Sequence, residues 1–102
     1  MAFRAGKTYA LTMTGSSVRQ ALNSGSQGQV EVTASGGDVF VKFGDDTVTA
    51  SSTVTSQALP DGNFVVLSGQ SKLYTLEAGE THVAMIGAAG TGYATVGYGE
   101  LV

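Results

Sequence analysis

Val39-Phe40-Val41-Lys42-Phe43-Gly44-Asp45-Asp46 is the stretch from which the rest of the chain can be laid out. Strict alternation places Val39, Val41 and Phe43 on one face of a strand and Phe40 and Lys42 on the other. Gly44-Asp45-Asp46 then stops the strand in a turn. We read this as the central hairpin of a small all-β domain.

The neighbouring segments repeat the pattern. Upstream, Gln29 to Thr33 (QVEVT) sets Val30 and Val32 inward, and Ser35-Gly36-Gly37-Asp38 is the kind of short connection that joins a hairpin. Further back, Tyr9 to Thr14 puts Tyr9, Leu11 and Met13 on one face. Between them, Val18, Ala21 and Leu22 have helical spacing, which fits one helical turn opened by Ser16 or Ser17. Asn23 to Gly28 is a polar loop. Downstream, Thr47 to Val54 is Thr-rich and weakly apolar, as in an edge strand. Pro60-Asp61-Gly62 closes a tight turn. Phe64 to Leu67 (FVVL) is continuously apolar, so both its faces should be covered. Lys72 to Leu76, Thr81 to Ile86 and Tyr93 to Tyr98 complete the set, with Gly87 to Gly92 as a flexible glycine-rich hairpin between the last two. The turn spacing predicts a single small antiparallel β-sandwich or jelly-roll-like barrel of eight or nine strands. Residues 1–8 are expected to be an N-terminal arm and residues 9–102 the β-sandwich domain.

The composition agrees with that class. The 102 residues include twelve Val and twelve Thr, β-branched types that suit a pleated surface. Charged residues are 13% of the chain, about half the usual share, so the surface must be Ser, Thr, Gly and Gln or be covered by a partner. The net charge is −3. Arg4, Lys7, Arg19, Lys42 and Lys72 are scattered, which argues against binding to nucleic acid or to an anionic membrane. The absence of Cys fits synthesis in a reducing cytosol, and no stretch has the length of a transmembrane helix.

Signals for chemistry are weak. His82 is the one histidine and has no nucleophile or further ligand at a recognisable spacing. Asp45-Asp46, with Asp38, falls short of a calcium loop. Gly87 to Gly97 matches no phosphate-loop pattern. Glu77, Glu80 and Glu100 lie in one turn and a tail, which does not suggest a glycosidase pair. The reading is of a chain with no enzyme activity, metal or cofactor. Tyr93 and Tyr98 are the residues on which a carbohydrate-binding alternative rests.

The run from Gln29 to Glu100 resembles small virion proteins of tailed bacteriophages. The features that carry it are QVEVT, then VFVKFGDD, a Thr/Ser-rich segment, LPDG, FVVL, THVAMI, a small-residue hairpin and a last strand closing on GYGE. The resemblance implies a capsid decoration, or cement, protein. Such a protein binds outside the assembled shell, on the major capsid protein, often as a homotrimer, and is made in the cytoplasm of the bacterial host. Phe3, Arg4, Tyr93, Tyr98, Leu101 and Val102 are the candidate interface residues. A low-copy head–tail or fibre-attachment component is the alternative within the virion.

Overall fold

The computed structural model describes residues 3–22, 28–51, 62–77, 79–88 and 90–101, with 3–7, 100 and 101 entering through their backbone. Eight strands lie among them: β1 (Phe3–Thr12), β2 (Val18–Ala21), β3 (Gln29–Ser35), β4 (Val39–Gly44), β5 (Phe64–Val66), β6 (Ser71–Thr75), β7 (His82–Gly87) and β8 (Tyr93–Leu101). They form two four-stranded sheets in the spatial orders β1-β8-β3-β6 and β2-β7-β4-β5. All pairings are antiparallel. The expected all-β sandwich is present, and its topology is that of a jelly roll. β1 pairs with β8, β2 with β7, β3 with β6 and β4 with β5. The chain is therefore one long hairpin rolled up, with its apex in the connection 45–63.

The alternation in the sequence sets the interior. Val30, Val32 and Ala34 from β3 meet Val39 and Val41 from β4, with Val66, Val83, Met85, Ala94, Val96 and Met13 completing the core. All eleven are at most 2% exposed. Short, stiff β-branched side chains fill a thin layer between the sheets. The thinness has a topological consequence. Residues 36–38 link β3 to β4, 67–70 link β5 to β6, and 88–92 link β7 to β8. Each of these pairs is divided between the two sheets. Three connecting residues reach about 13 Å, enough to cross a sheet spacing of about 10 Å. Ser35 to Asp38 and Gly87 to Gly92 are therefore arches from sheet to sheet and not the hairpins expected from their length. The one connection between consecutive strands of the same sheet is the long 45–63 segment.

The two glycine-rich arches touch. Gly92 has φ +89°, and a Cβ there would stand 2.5 Å from the Ser35 carbonyl oxygen and 2.8 Å from the Gly36 carbonyl carbon. Gly36, with φ +79°, has the Gly92 Cα 3.1 Å from its own Cβ position. Met13 N–H donates to Gly92 O and Ala88 N–H donates to Asp38 O, tying this end together. The glycines expected to give a flexible hairpin instead permit a close backbone contact.

Four further expectations are corrected. From Phe3 onward the proposed arm 1–8 belongs to β1, because the far end of β8 supplies a partner strand. The pairing runs from Phe3 opposite Leu101 to Thr12 opposite Tyr93, with a bulge at Gly6. The helical turn at Val18 to Leu22 is β2, whose residues pair with Met85 to His82 of β7. Thr47 to Ser51 is not an edge strand. It crosses the outer face of the β2-β7-β4-β5 sheet, where Val48 and Ala50 cover Ala84 and Ile86 in a second apolar cluster. Arg19 Nη1 donates to Val48 O at 3.3 Å, and Ala50 N–H donates to Ser17 Oγ at 3.0 Å, fixing that layer. Phe64 to Leu67 is an edge, not a doubly covered strand: Val66 is buried while Leu67 is 45% exposed. The polar loop Asn23 to Gln27, the end of Thr47 to Val54 and the turn at Pro60-Asp61 lie outside the described residues.

Gly92→Ala is expected to cost about 1–3 kcal/mol through backbone strain, with the carbonyl clash added to it. Gly69 has φ +83° but nothing within 4 Å of its Cβ position, so Gly69→Ala isolates the strain alone. Urea denaturation of the two variants checks this, and equal losses would show that the arch contact contributes nothing.

Candidate assembly surface

The outer face of the β1-β8-β3-β6 sheet follows from the same alternation that builds the core. With Val30, Val32 and Ala34 turned in, Glu31, Thr33 and Ser35 turn out, beside Thr8, Ala10 and Thr12 of β1, Thr95 of β8 and Ser71, Leu73 and Thr75 of β6. Among the described side chains Glu31 is the one charged group on this face. Cross-strand hydrogen bonds order its hydroxyls. Thr33 Oγ1 and Ser71 Oγ are 2.7 Å apart, and Thr75 Oγ1 donates to Gln29 Oε1 at 3.0 Å. Two large apolar side chains stand on it, Leu73 at 43% and Tyr93 at 51% exposure. A hydrogen-bonded, weakly charged face loses little solvation and little side-chain entropy when another protein covers it. No single sequence motif marks this face; it emerges once the four strands are ordered, although the low charge of the chain hinted at a covered surface.

The residues expected at the interface do not gather in one place. Phe3 and Leu101 are opposite one another across β1 and β8, as are Arg4 and Glu100, at one end of the sheet. Val102 lies outside the described residues. Tyr93 is at the opposite end of β8, on the outer face, beside Thr12 and Ser35. Tyr98 points the other way, as a five-residue offset along a strand demands. It is half-buried, packs on the core, and covers Gly28, whose Cβ position is 2.9 Å from the ring. Tyr93 and Tyr98 therefore cannot share one sugar-stacking platform.

A second aromatic group closes the β5–β6 side of the sandwich. The Phe64 and Tyr74 ring centroids are 4.1 Å apart, and Phe43 lies 5.8 Å from each. Burial raises the Tyr74 phenol above its ordinary pKa of 10.0. Lys72 Nζ crosses the same opening and donates to Val65 O at 2.9 Å. Sequence reading missed this plug because its rings come from three strands of two sheets.

The residues weighed for chemistry are occupied elsewhere. Asp45 Oδ1 accepts from Thr47 N–H at 2.9 Å and from Thr47 Oγ1 at 2.6 Å. These bonds hold its pKa below the ordinary 3.8. Asp38 Oδ1 accepts from Ser68 N–H. Asp38 and Asp45 flank the two ends of β4, about 20 Å apart by strand rise, so they cannot share a cation. Glu80 Oε1 accepts from Glu77 N–H within one turn. His82 is half-buried on the outer face of its sheet, with Nδ1 2.8 Å from Thr81 Oγ1. An open depression of about 430 Å³ lies beside it, lined by Lys42, Phe43, Gly44, Asp45 and Thr47 to Thr49. In the glycine-rich arch, the N–H groups of Gly87, Ala88 and Gly90 donate to Thr14 O, Asp38 O and Gly87 O, so they are not presented to an anion. No group of three or more His, Cys, Asp or Glu is placed to hold a metal ion among the described residues. No helix among them is long and apolar enough to cross a membrane.

No family model matches the chain, and no curated protein matches it. A chain from Bacillus endospore appendages, described as a novel family of disulfide-linked pili, matches in structure with a TM-score of 0.61. The match covers 93% of this chain and 85% of that one at 15% identity. The likeness shows a shared fold.

The different settings of the two tyrosines separate in mutants. Tyr98→Ala is expected to lower stability by about 2–4 kcal/mol, toward the range for a buried ring, whereas Tyr93→Ala should stay within about 0.5 kcal/mol of the parent. Chemical denaturation measures both. Asp45 sets a pH dependence. Its folded pKa is lowered, so the stability it contributes is complete above the unfolded value near 3.8 and is lost as pH falls through the folded value. Melting temperatures followed from pH 5 downward should fall more steeply for the parent than for Asp45→Asn.

Proposed function

We propose that this protein is a structural subunit that packs on other protein subunits in an ordered assembly, and in particular that it is a decoration protein on the outer surface of a tailed-bacteriophage capsid. The observation that carries this reading is the outer face of the β1-β8-β3-β6 sheet, internally hydrogen-bonded, nearly uncharged among the described side chains, and carrying exposed Leu73 and Tyr93. The resemblance of the Gln29–Glu100 run to phage virion proteins supplies the finer assignment. The mechanism is a clamp without catalysis. A subunit that binds the assembled lattice more tightly than its separated components stabilises the lattice by linkage, and many modest contacts add through multivalency.

A subunit of an extracellular filament is the second reading. The likeness in fold to a pilus chain favours it. These 102 residues hold no cysteine, so disulfides between them would not hold such a filament together.

Copy number in purified virions distinguishes these readings. Quantitative mass spectrometry should find this chain in amounts comparable to the major capsid protein, and Leu73→Asp with Tyr93→Asp should fold normally but fail to co-sediment with shells. A handful of copies per particle would move the protein to a vertex or tail. Absence from virions, with recovery in sheared surface appendages, would replace the capsid reading with the filament one.

A further inference from the structure

A sheet edge left open is a site for another strand, and natural domains usually shorten or charge such edges. Three of the four edges here are treated in that way. β2 has four residues and carries Arg19; β5 has three, with its Val65 carbonyl taken by Lys72; β6 carries Lys72 itself. β1 is different. It is ten residues long and, among the described residues, is paired on one side alone, to β8. Its charged residues, Arg4 and Lys7, lie on either side of the Gly6 bulge, and from Thr8 to Thr12 the strand carries neither charge nor proline.

The ladder fixes which groups this edge offers. Met13 N–H donates to Gly92 O. By antiparallel alternation, Leu11 and Tyr9 also turn their backbone groups toward β8. The N–H and C=O groups of Thr8, Ala10 and Thr12 therefore face away from the sheet, and all three residues are exposed.

We propose that β1 pairs antiparallel with β1 of a second copy, about a two-fold axis at Ala10. The sequence of the edge fits itself. In that register Thr8 faces Thr12, Tyr9 faces Leu11 and Ala10 faces Ala10. Each of the three outward-turned residues then exchanges both its N–H and its C=O with the other copy. Tyr9 and Leu11, both half-buried on the core, pack against Leu11 and Tyr9 across the axis. The bulge at Gly6 limits the register on one side, and the Thr14 carbonyl, already accepting from Gly87 N–H, limits it on the other. The product is a closed isologous dimer in which the two β1-β8-β3-β6 sheets become one. The dimer adds a contact between copies and does not depend on what the outer face binds.

Sedimentation equilibrium of the full chain at high micromolar concentration tests this. The parent should have twice the 10.3 kDa chain mass. Ala10→Lys puts like charges directly opposite across the axis and should give the single-chain mass with an unchanged far-ultraviolet circular dichroism spectrum. The chain has no native cysteine, so Ala10→Cys gives an unambiguous second readout. Paired Cα atoms about 5.5 Å apart lie within disulfide range, and mild oxidation should link the copies. A monomeric parent overturns the proposal. So does a dimer or trimer that persists in Ala10→Lys, or an Ala10→Cys protein that does not cross-link. If Ala10→Lys fails to fold, the cross-link decides.

Discussion

The valine layer is the constraint on which the rest of this molecule depends. Val30, Val32, Val39, Val41, Val66, Val83 and Val96 are all fully buried and come from five strands of both sheets. Valine is short and nearly fixed at χ1, so the layer is thin. A thin layer lets three to five residues bridge the sheets, and that is what makes four of the connections, 13–17, 36–38, 67–70 and 88–92, arches. The arches in turn commit the chain to rolling up, since consecutive strands that change sheets must find their partners far away in sequence. β8 is then central in one sheet, bonded to both β1 and β3, and β7 has the same position between β2 and β4.

The β5–β6 side of the sandwich is closed by longer side chains. Phe43, Phe64 and Tyr74 stack where β5 and β6 leave a gap, and Lys72 reaches across it to a carbonyl. The outer face of the β2-β7-β4-β5 sheet is treated differently, with Thr47 to Ser51 laid over Ala84 and Ile86. The other outer face carries no such layer among the described residues. The two faces of one small domain thus have different relations to their surroundings. One is roofed by its own chain, and the other is a hydrogen-bonded field of Thr and Ser interrupted by Leu73 and Tyr93. That asymmetry directs the functional reading to the β1-β8-β3-β6 side.

Much of the candidate site was written in the composition but not in any motif. The scarcity of charge announced a surface suited to a partner, yet the face is assembled from β1, β3, β6 and β8, which are spread over the whole sequence. Tyr93 and Tyr98 looked equivalent along the chain and are not, because an odd offset along a strand sends one ring to solvent and the other to the core. Phe3 and Leu101, at opposite ends of the chain, turn out to be cross-strand neighbours.

By itself the sequence determined the class of the fold and the inward residues of the main strands. Alternation identifies Val30 and Val32, or Val39 and Val41, without reference to anything distant, because side-chain direction in a strand is a local property. Only the tertiary structure decided which strands are partners. A short glycine-containing connection can turn back within a sheet or cross to the facing one, and Ser35 to Asp38 contains nothing local that selects between them. Val18 to Leu22 shows the same limit, since five residues with three apolar side chains fit one helical turn as well as an edge strand until β7 is beside them. The choice was made by the depth of the core and by the backbone groups that had to be paired within it.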